Sequence, residues 1–130
     1  MVTLAPELPG AGALLDDLAR EDILAALGHS RSDAAGVEAA IERGARHVTH
    51  LFNAMGPLHH REPGLAGVAL ADARLTCDLI CDGAHVHPTM VRAAARALGD
   101  RLVLITDRIE PTGRSGTALS FGSGPVSDDG

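Results

Sequence analysis

Apolar and polar positions follow two regimes that alternate along the chain. Short, nearly continuous apolar runs recur as VTLA from Val2, ILAALG from Ile23, HVTHLF from His47, LTCDLIC from Leu75 and LVLIT from Leu102. Their length and lack of a polar face predict five buried strands. The stretches between them carry a helical period. Ala34, Val37, Ala40 and Ile41 fall on one face, with Ser32 or Asp33 placed to cap the start and Gly44 suited to a left-handed end. Met90, Val91, Ala94, Ala97 and Leu98 form a second stripe, opened by Pro88 at the first helical position and closed by Gly99. A weaker helix is expected from Ala11 to Arg20, and the Gly- and Pro-bearing segment from Met55 to Ala71 reads as a loop long enough to be functional.

Strands that alternate with helices imply βαβ units and a parallel sheet covered on both faces. No low-complexity linker divides the chain, so one α/β unit is expected. At 130 residues and 45% hydrophobic, the chain can bury a core. A net charge of −6 excludes the broad basic face that nucleic acid or an anionic membrane requires, and confines any anion site to a local patch. With two Phe and no Trp or Tyr, stacking platforms are scarce. Cys77 and Cys81 have neither redox nor zinc-knuckle spacing and are expected to be reduced and buried. The opening MVTLAPELPGAG has no basic region ahead of an apolar one, and no apolar stretch reaches membrane-spanning length; a cytoplasmic protein is expected.

In parallel sheets and barrels, chemistry gathers at the carboxyl ends of the strands. Those ends carry Glu7, His29, His50, Asp82 with His85 just after it, and Asp107. Imidazoles on neighbouring strand ends are natural ligands of zinc and related divalent ions, which makes His29 and His50 a candidate metal pair. A bound metal lowers the pKa of water to about 7, and a carboxylate such as Asp107 can accept and relay the proton. Glu7 reads better as a cap of the next helix. His47, His59, His60 and His87 read as surface residues or supports for the site. Arg61 is suited to forked contact with a phosphate, with internal pairing to Glu62 as the equal alternative. Asp82–Pro88 brings a turn, two histidines and a helix start together.

LGHS at 27–30, THLFNAM at 49–55, HHREPG at 59–64, DGAHV at 82–86 and LITD at 104–107, with VTLAPE at the start, resemble the N-acetylglucosamine-6-phosphate deacetylases of the amidohydrolase superfamily. The resemblance covers nearly the whole chain. It implies an α/β fold, a partial (β/α)8 barrel of about five parallel strands with intervening helices, forming one partial domain over residues 1–130. It implies that His29 and His50 ligate a divalent metal, zinc or an ion such as iron. By the same resemblance Asn53, Ala54, Arg61, Asp82, Gly83, Ala84 and His85 contact substrate, and Asp107 is the catalytic acid and base. The implied reaction is hydrolysis of N-acetylglucosamine 6-phosphate to glucosamine 6-phosphate and acetate. The implied partners are a small amino-sugar phosphate and a second subunit, with Arg61 acting across a homodimer interface.

Three departures accompany the resemblance. The family's early strands are not found, and with them its metal-ligating glutamate in an HxEGP-like motif; Glu7 matches a different family position. Arg108 follows Asp107 where the family has a small residue, with Glu110 nearby, and an arginine pointing into the site would favour ionised Asp107. The chain stops at PVSDDG where the family continues, so a segment cut at both ends is expected. Two alternatives stay open: a non-catalytic remnant that binds sugar phosphate or a partner chain, and an amidohydrolase acting on another amide.

Overall fold

A computed structural model describes residues 1–108 together with the segments 119–121 and 124–126; Glu110 and the PVSDDG end, apart from its first two residues, lie outside the described residues. Strands β1 (Val2–Leu4), β2 (Ala25–Leu27), β3 (Ala45–Val48), β4 (Thr76–Ile80) and β5 (Leu102–Ile105) alternate with helices α1 (Ala11–Arg20), α2 (Ala34–Glu42), α3 (Gly64–Ala71) and α4 (Pro88–Leu98). Every pairing among the five is parallel, and the sheet order is β1-β2-β3-β4-β5. A doubly wound sheet reverses its strand order at a switch point, whereas a (β/α) barrel adds each strand beside the last. The strictly sequential order is therefore that of a barrel segment. Two further strands that the hydrophobic pattern did not predict, β6 (Leu119–Phe121) and β7 (Gly124–Val126), pair as an antiparallel hairpin.

The helices form where the sequence places their signals. The Asp33 carboxylate caps α2 by accepting from the Gly36 amide at 2.8 Å, and Gly44 takes the left-handed conformation, φ 107°, that turns the chain into β3. Helix α4 opens on Pro88, and α1 buries Ala11, Leu15 and Leu18. The exception is α3, which occupies the second half of the segment expected to be a loop. Its Leu65, Ala66, Val68 and Ala69 are all buried, so it has no polar face and leaves no helical period to read. Glu62 organises its start: one carboxylate oxygen accepts from the Gly64 amide at 3.4 Å and the Ala34 amide at 3.0 Å, joining the N-termini of α3 and α2, where a negative charge is favoured. Arg61–Glu62 pairing is thereby replaced.

The core is built from small aliphatic side chains under the central strands, with Leu27, Val48, Cys77 and Leu79 fully buried. On the edge strands Val2, Val103 and Leu104 remain 38%, 50% and 61% exposed. Burial pushes the Cys77 thiol up to about 12, so it packs as an inert apolar group. Cys81 departs from the expectation of a buried pair: it follows the last residue of β4 and is exposed, because the strand ends there and the chain turns outward.

Arg101 ties the helical layer to the sheet. Its guanidinium donates to the carbonyls of Ala69, Leu70, Asp72, Leu75 and Ala97, joining the ends of α3 and α4 to the chain that enters β4. Arg101→Met, which keeps the apolar stem and removes the donors, is expected to cost about 1.5–3 kcal/mol, read as a lower urea midpoint at unchanged m-value. An unchanged midpoint would contradict this role.

Candidate metal-binding and proton-transfer site

Three residues that end parallel strands share one cavity of about 450 Å³: His29 after β2, His50 after β3 and Asp107 after β5, with Thr3, Gly28 and Thr49 among the other walls. Each of the three has a left-handed backbone, φ 51°, 37° and 47° respectively. A non-glycine residue there costs on the order of 1–3 kcal/mol, a cost characteristic of sites where geometry serves function. Gly28 lets the walls close, since a Cβ at that position would lie 2.9 Å from Thr3 Cγ2, and the Thr3 and Thr49 hydroxyls meet beside it at 2.9 Å.

The cavity also reports the curvature of the sheet. Thr3 and Leu4 belong to β1 and Asp107 follows β5, the two edges of the sheet, yet they line the same space. In a flat sheet those edges would stand about 19 Å apart, four spacings of about 4.8 Å, roughly twice the width of such a cavity. The strands must therefore curl around it as an arc of a barrel.

The two imidazoles converge. His29 Nε2 and His50 Nε2 are 2.8 Å apart, with ring centroids 4.6 Å apart and planes at 69°. Tetrahedral zinc with nitrogen ligands at about 2.0–2.1 Å holds them about 3.4 Å apart, so opening the pair by about 0.6 Å admits the ion. The donor set fits two positions of such a site. Among the described residues no group of three His, Cys, Asp or Glu side chains is placed to hold a metal. His29 is exposed and His50 is buried. His50 Nδ1 is buried without a hydrogen-bond partner among the described residues.

The loops behind the pair are held by carboxylates. Glu7 accepts from Ser30 Oγ at 2.7 Å and from the Arg31 amide at 2.7 Å, immediately after His29. Its expected capping role is overturned: α1 starts at Gly10 without a side-chain cap, and the Glu7 carboxylate turns toward the β2 loop instead. Partial burial works to raise the Glu7 carboxyl, but the Ser30 and Arg31 hydrogen bonds outweigh it and hold it below its ordinary value. On the other side, Asp78 in β4 accepts from the His50 amide and, at 3.0 Å, bonds His47 Nε2. His47 is buried and its Nδ1 lies 2.7 Å from Thr76 Oγ1. Sequence reasoning passed over Asp78, although a carboxylate inside an apolar run demands a partner and the register that sets His47 beside Thr76 supplies one.

The remaining candidate residues lie outside this cavity. The Asn53 amide donates to the His50 carbonyl at 2.9 Å, closing the turn after the histidine; Asn53 is half-buried, and Ala54 is exposed with φ 52°. Arg61 is exposed and forms no ion pair among the described residues, its amide donating to His59 Nδ1 at 3.2 Å. Arg108 is exposed and forms no ion pair with Asp107. Asp107 also borders a neighbouring cavity of about 650 Å³ with Cys81, Leu104, Ile105 and Thr106. Beside it begins the turn formed by Asp82, Gly83, Ala84 and His85. There Asp82 accepts from the Ala84 and His85 amides at 2.9 and 3.0 Å and bonds His85 Nδ1 at 2.6 Å.

No family model matches the chain. The curated N-acetylglucosamine-6-phosphate deacetylase of Bacillus subtilis is 43% identical over 127 residues, which are 97% of this chain and 32% of that protein. The N-acetyl-D-glucosamine-6-phosphate deacetylase of Mycobacterium smegmatis, a solved structure, is 45% identical and superposes with a TM-score of 0.85 over 88% of this chain and 33% of its own. Along its whole length the chain is thus similar to one segment of N-acetylglucosamine-6-phosphate deacetylases. It spans about a third of the length of the curated relatives it matches. The N-acetylgalactosamine-6-phosphate deacetylase of a Shewanella species is 41% identical over 131 residues, 100% of this chain and 33% of that protein. An aspartate-to-alanine mutant of the Mycobacterium enzyme, 44% identical with a TM-score of 0.85 over 88% of this chain and 30% of its own, is solved in complex with N-acetyl-D-glucosamine-6-phosphate. Among the described residues no helix is long and apolar enough to cross a membrane.

The Asp82 turn has a definite acid limit. Amide donation from His85 and Ala84, together with the His85 ring, lowers the Asp82 carboxyl to about 2. Because this lies below the value of a free aspartate, about 3.9, the bracing is complete above that value and lost as the pH falls through the folded one. The Ala84 and His85 amide proton resonances are expected to titrate with a midpoint near 2; a midpoint near that of free aspartate would refute the bracing.

Proposed function

We propose that this chain carries the metal-pair and proton-transfer residues of an N-acetylhexosamine 6-phosphate deacetylase. The observation that carries the reading is the convergence of His29 Nε2 and His50 Nε2, 2.8 Å apart, in a cavity that Asp107 also lines. His29 and His50 would hold a divalent ion, zinc or iron, which when bound supplies Lewis acidity and lowers the pKa of water to about 7.

The chain's own groups do the rest. Asp107 takes the proton of the attacking water and delivers it to the departing nitrogen, which would otherwise leave as a strongly basic amide anion. Hydrolysis of the acetamide then yields the free amine and acetate. Arg61, exposed and without a carboxylate partner among the described residues, offers a fork to the substrate phosphate; in this reading it acts across a homodimer interface. Asn53, Ala54 and the turn of Asp82, Gly83, Ala84 and His85 contact the sugar. The nearly equal identities to the glucosamine-type and galactosamine-type relatives, 43% and 41%, leave both C4 epimers as substrates of this reading. A second reading, a sugar-phosphate-binding chain without turnover, is favoured by one observation: only two metal-type ligands converge among the described residues, where catalytic zinc sites use three.

Metal analysis of the purified chain, paired with amine release from each epimer, tests both. His29→Ala and His50→Ala are each expected to abolish stoichiometric zinc. Asp107→Asn is expected to keep zinc and to lower amine release by about 10²–10⁴-fold. Sugar-phosphate binding without amine release selects the second reading, and zinc retained in both histidine variants overturns the site.

A further inference from the structure

Metal-ligating histidines nearly always fix their ring by donating the other ring nitrogen to a carboxylate or carbonyl. His50 does not: its Nδ1 is buried and has no partner among the described residues. A carboxylate is nevertheless present, and it grips the backbone. Asp78 Oδ1 accepts from the His50 amide, and the Asp78 carbonyl accepts from the Leu51 amide at 2.9 Å. One residue of β4 thus holds two successive amides across the left-handed turn, φ 37°, on which the His50 ring is carried. The other oxygen, Oδ2, is occupied by His47 Nε2 at 3.0 Å, and His47 is itself set by Thr76 Oγ1. A carboxylate only accepts, so His47 must carry its proton on Nε2. Both side chains are buried.

We infer that Asp78, held in place by His47, is a positioning residue that aims the His50 imidazole at His29 by fixing the backbone turn at residue 50. This rests on the reading of His29 and His50 as the metal pair. The brace replaces the missing partner of His50 Nδ1: the ring is aimed through its main chain. What the role requires of Asp78 is an acceptor at Oδ1. Asparagine supplies the same acceptor, and its amide group can donate to His47 once that ring moves its proton to Nδ1 and donates to Thr76. Alanine supplies neither.

The test measures zinc affinity of the full chain by competition with a chromophoric chelator, alongside the His50 amide proton resonance. Asp78→Ala is expected to weaken zinc binding by about tenfold or more and to move the His50 amide proton upfield, because it no longer donates to a carboxylate. Asp78→Asn is expected to stay within about threefold of the parent, a rescue that loss of stability alone would not produce. Val48→Ala, a fully buried truncation in the neighbouring strand that leaves Asp78 in place, serves as the stability control and is expected to bind zinc as the parent does. Parent-like affinity in Asp78→Ala, a tenfold loss in folded Asp78→Asn, or an equal loss in Val48→Ala would each overturn the inference. Failure of the metal-pair reading is separate, because it would appear as undiminished zinc binding in His29→Ala and His50→Ala, while the His50 amide resonance would still decide the brace.

Discussion

The site depends on left-handed turns placed directly after parallel strands. A strand delivers its side chains alternately to the two faces of the sheet, so a residue that must point over the strand end has to leave that alternation. Positive φ does this at His29, His50 and Asp107. Such a backbone is costly for a residue with a Cβ, and it persists only where surrounding contacts fix it. At His29 the following loop is tied to Glu7 through Ser30 and Arg31; at His50 the turn is tied to Asp78. Two carboxylates, one from the turn after β1 and one from β4, thus hold the two turns from behind, leaving both Nε2 atoms directed at the same point.

The sheet was readable in advance because its signals are local. Each of the five apolar runs became a strand, and the caps and breakers at Asp33, Gly44 and Pro88 act where the sequence puts them. The failure at α3 has a physical source: a helix made entirely of apolar residues and glycine has no polar stripe, and its Gly and Pro neighbours imitate a loop. Glu7 was misjudged for a different reason. A carboxylate before a helix looks like a cap, but its actual acceptance of Ser30 and Arg31, 23 and 24 residues further along, is decided by strand adjacency that no local window contains. Asp78 and His47 belong to the same class, joined only through the parallel register of β3 and β4.

The candidate residues divide along the same line. His29, His50 and Asp107 were legible as a set because strand ends converge in any parallel α/β architecture, and the shared cavity brings them together. Asn53 and Ala54 came from resemblance to the deacetylases alone, whereas Arg61 and the Asp82–His85 turn were first readable as a local anion signal and a polar strand end; all stand on loops outside that cavity. Loops place side chains by turn chemistry and by contact with what they bind. The Asp82 turn carries the most internal bracing of these, since its carboxylate is satisfied by two amides and a ring.

Curvature joins the fold to the chemistry. His29 and His50 follow adjacent central strands and would meet at the rim of any parallel sheet, flat or curled. Asp107 is different: it follows the edge strand β5, two strands removed from β3, and the far wall of its cavity is Thr3 and Leu4 on the opposite edge. Only a curled sheet sets a carboxylate from one edge over imidazoles from the centre. The imidazole pair is therefore a property of local strand ends, whereas the position of the Asp107 carboxylate is a property of the whole arc. Packing that maintains the arc, with Arg101 anchoring the ends of α3 and α4 ahead of β5, bears on where Asp107 sits without touching it. Damage to the curl should separate the two features, sparing the imidazole pair while withdrawing the Asp107 carboxylate from their shared cavity.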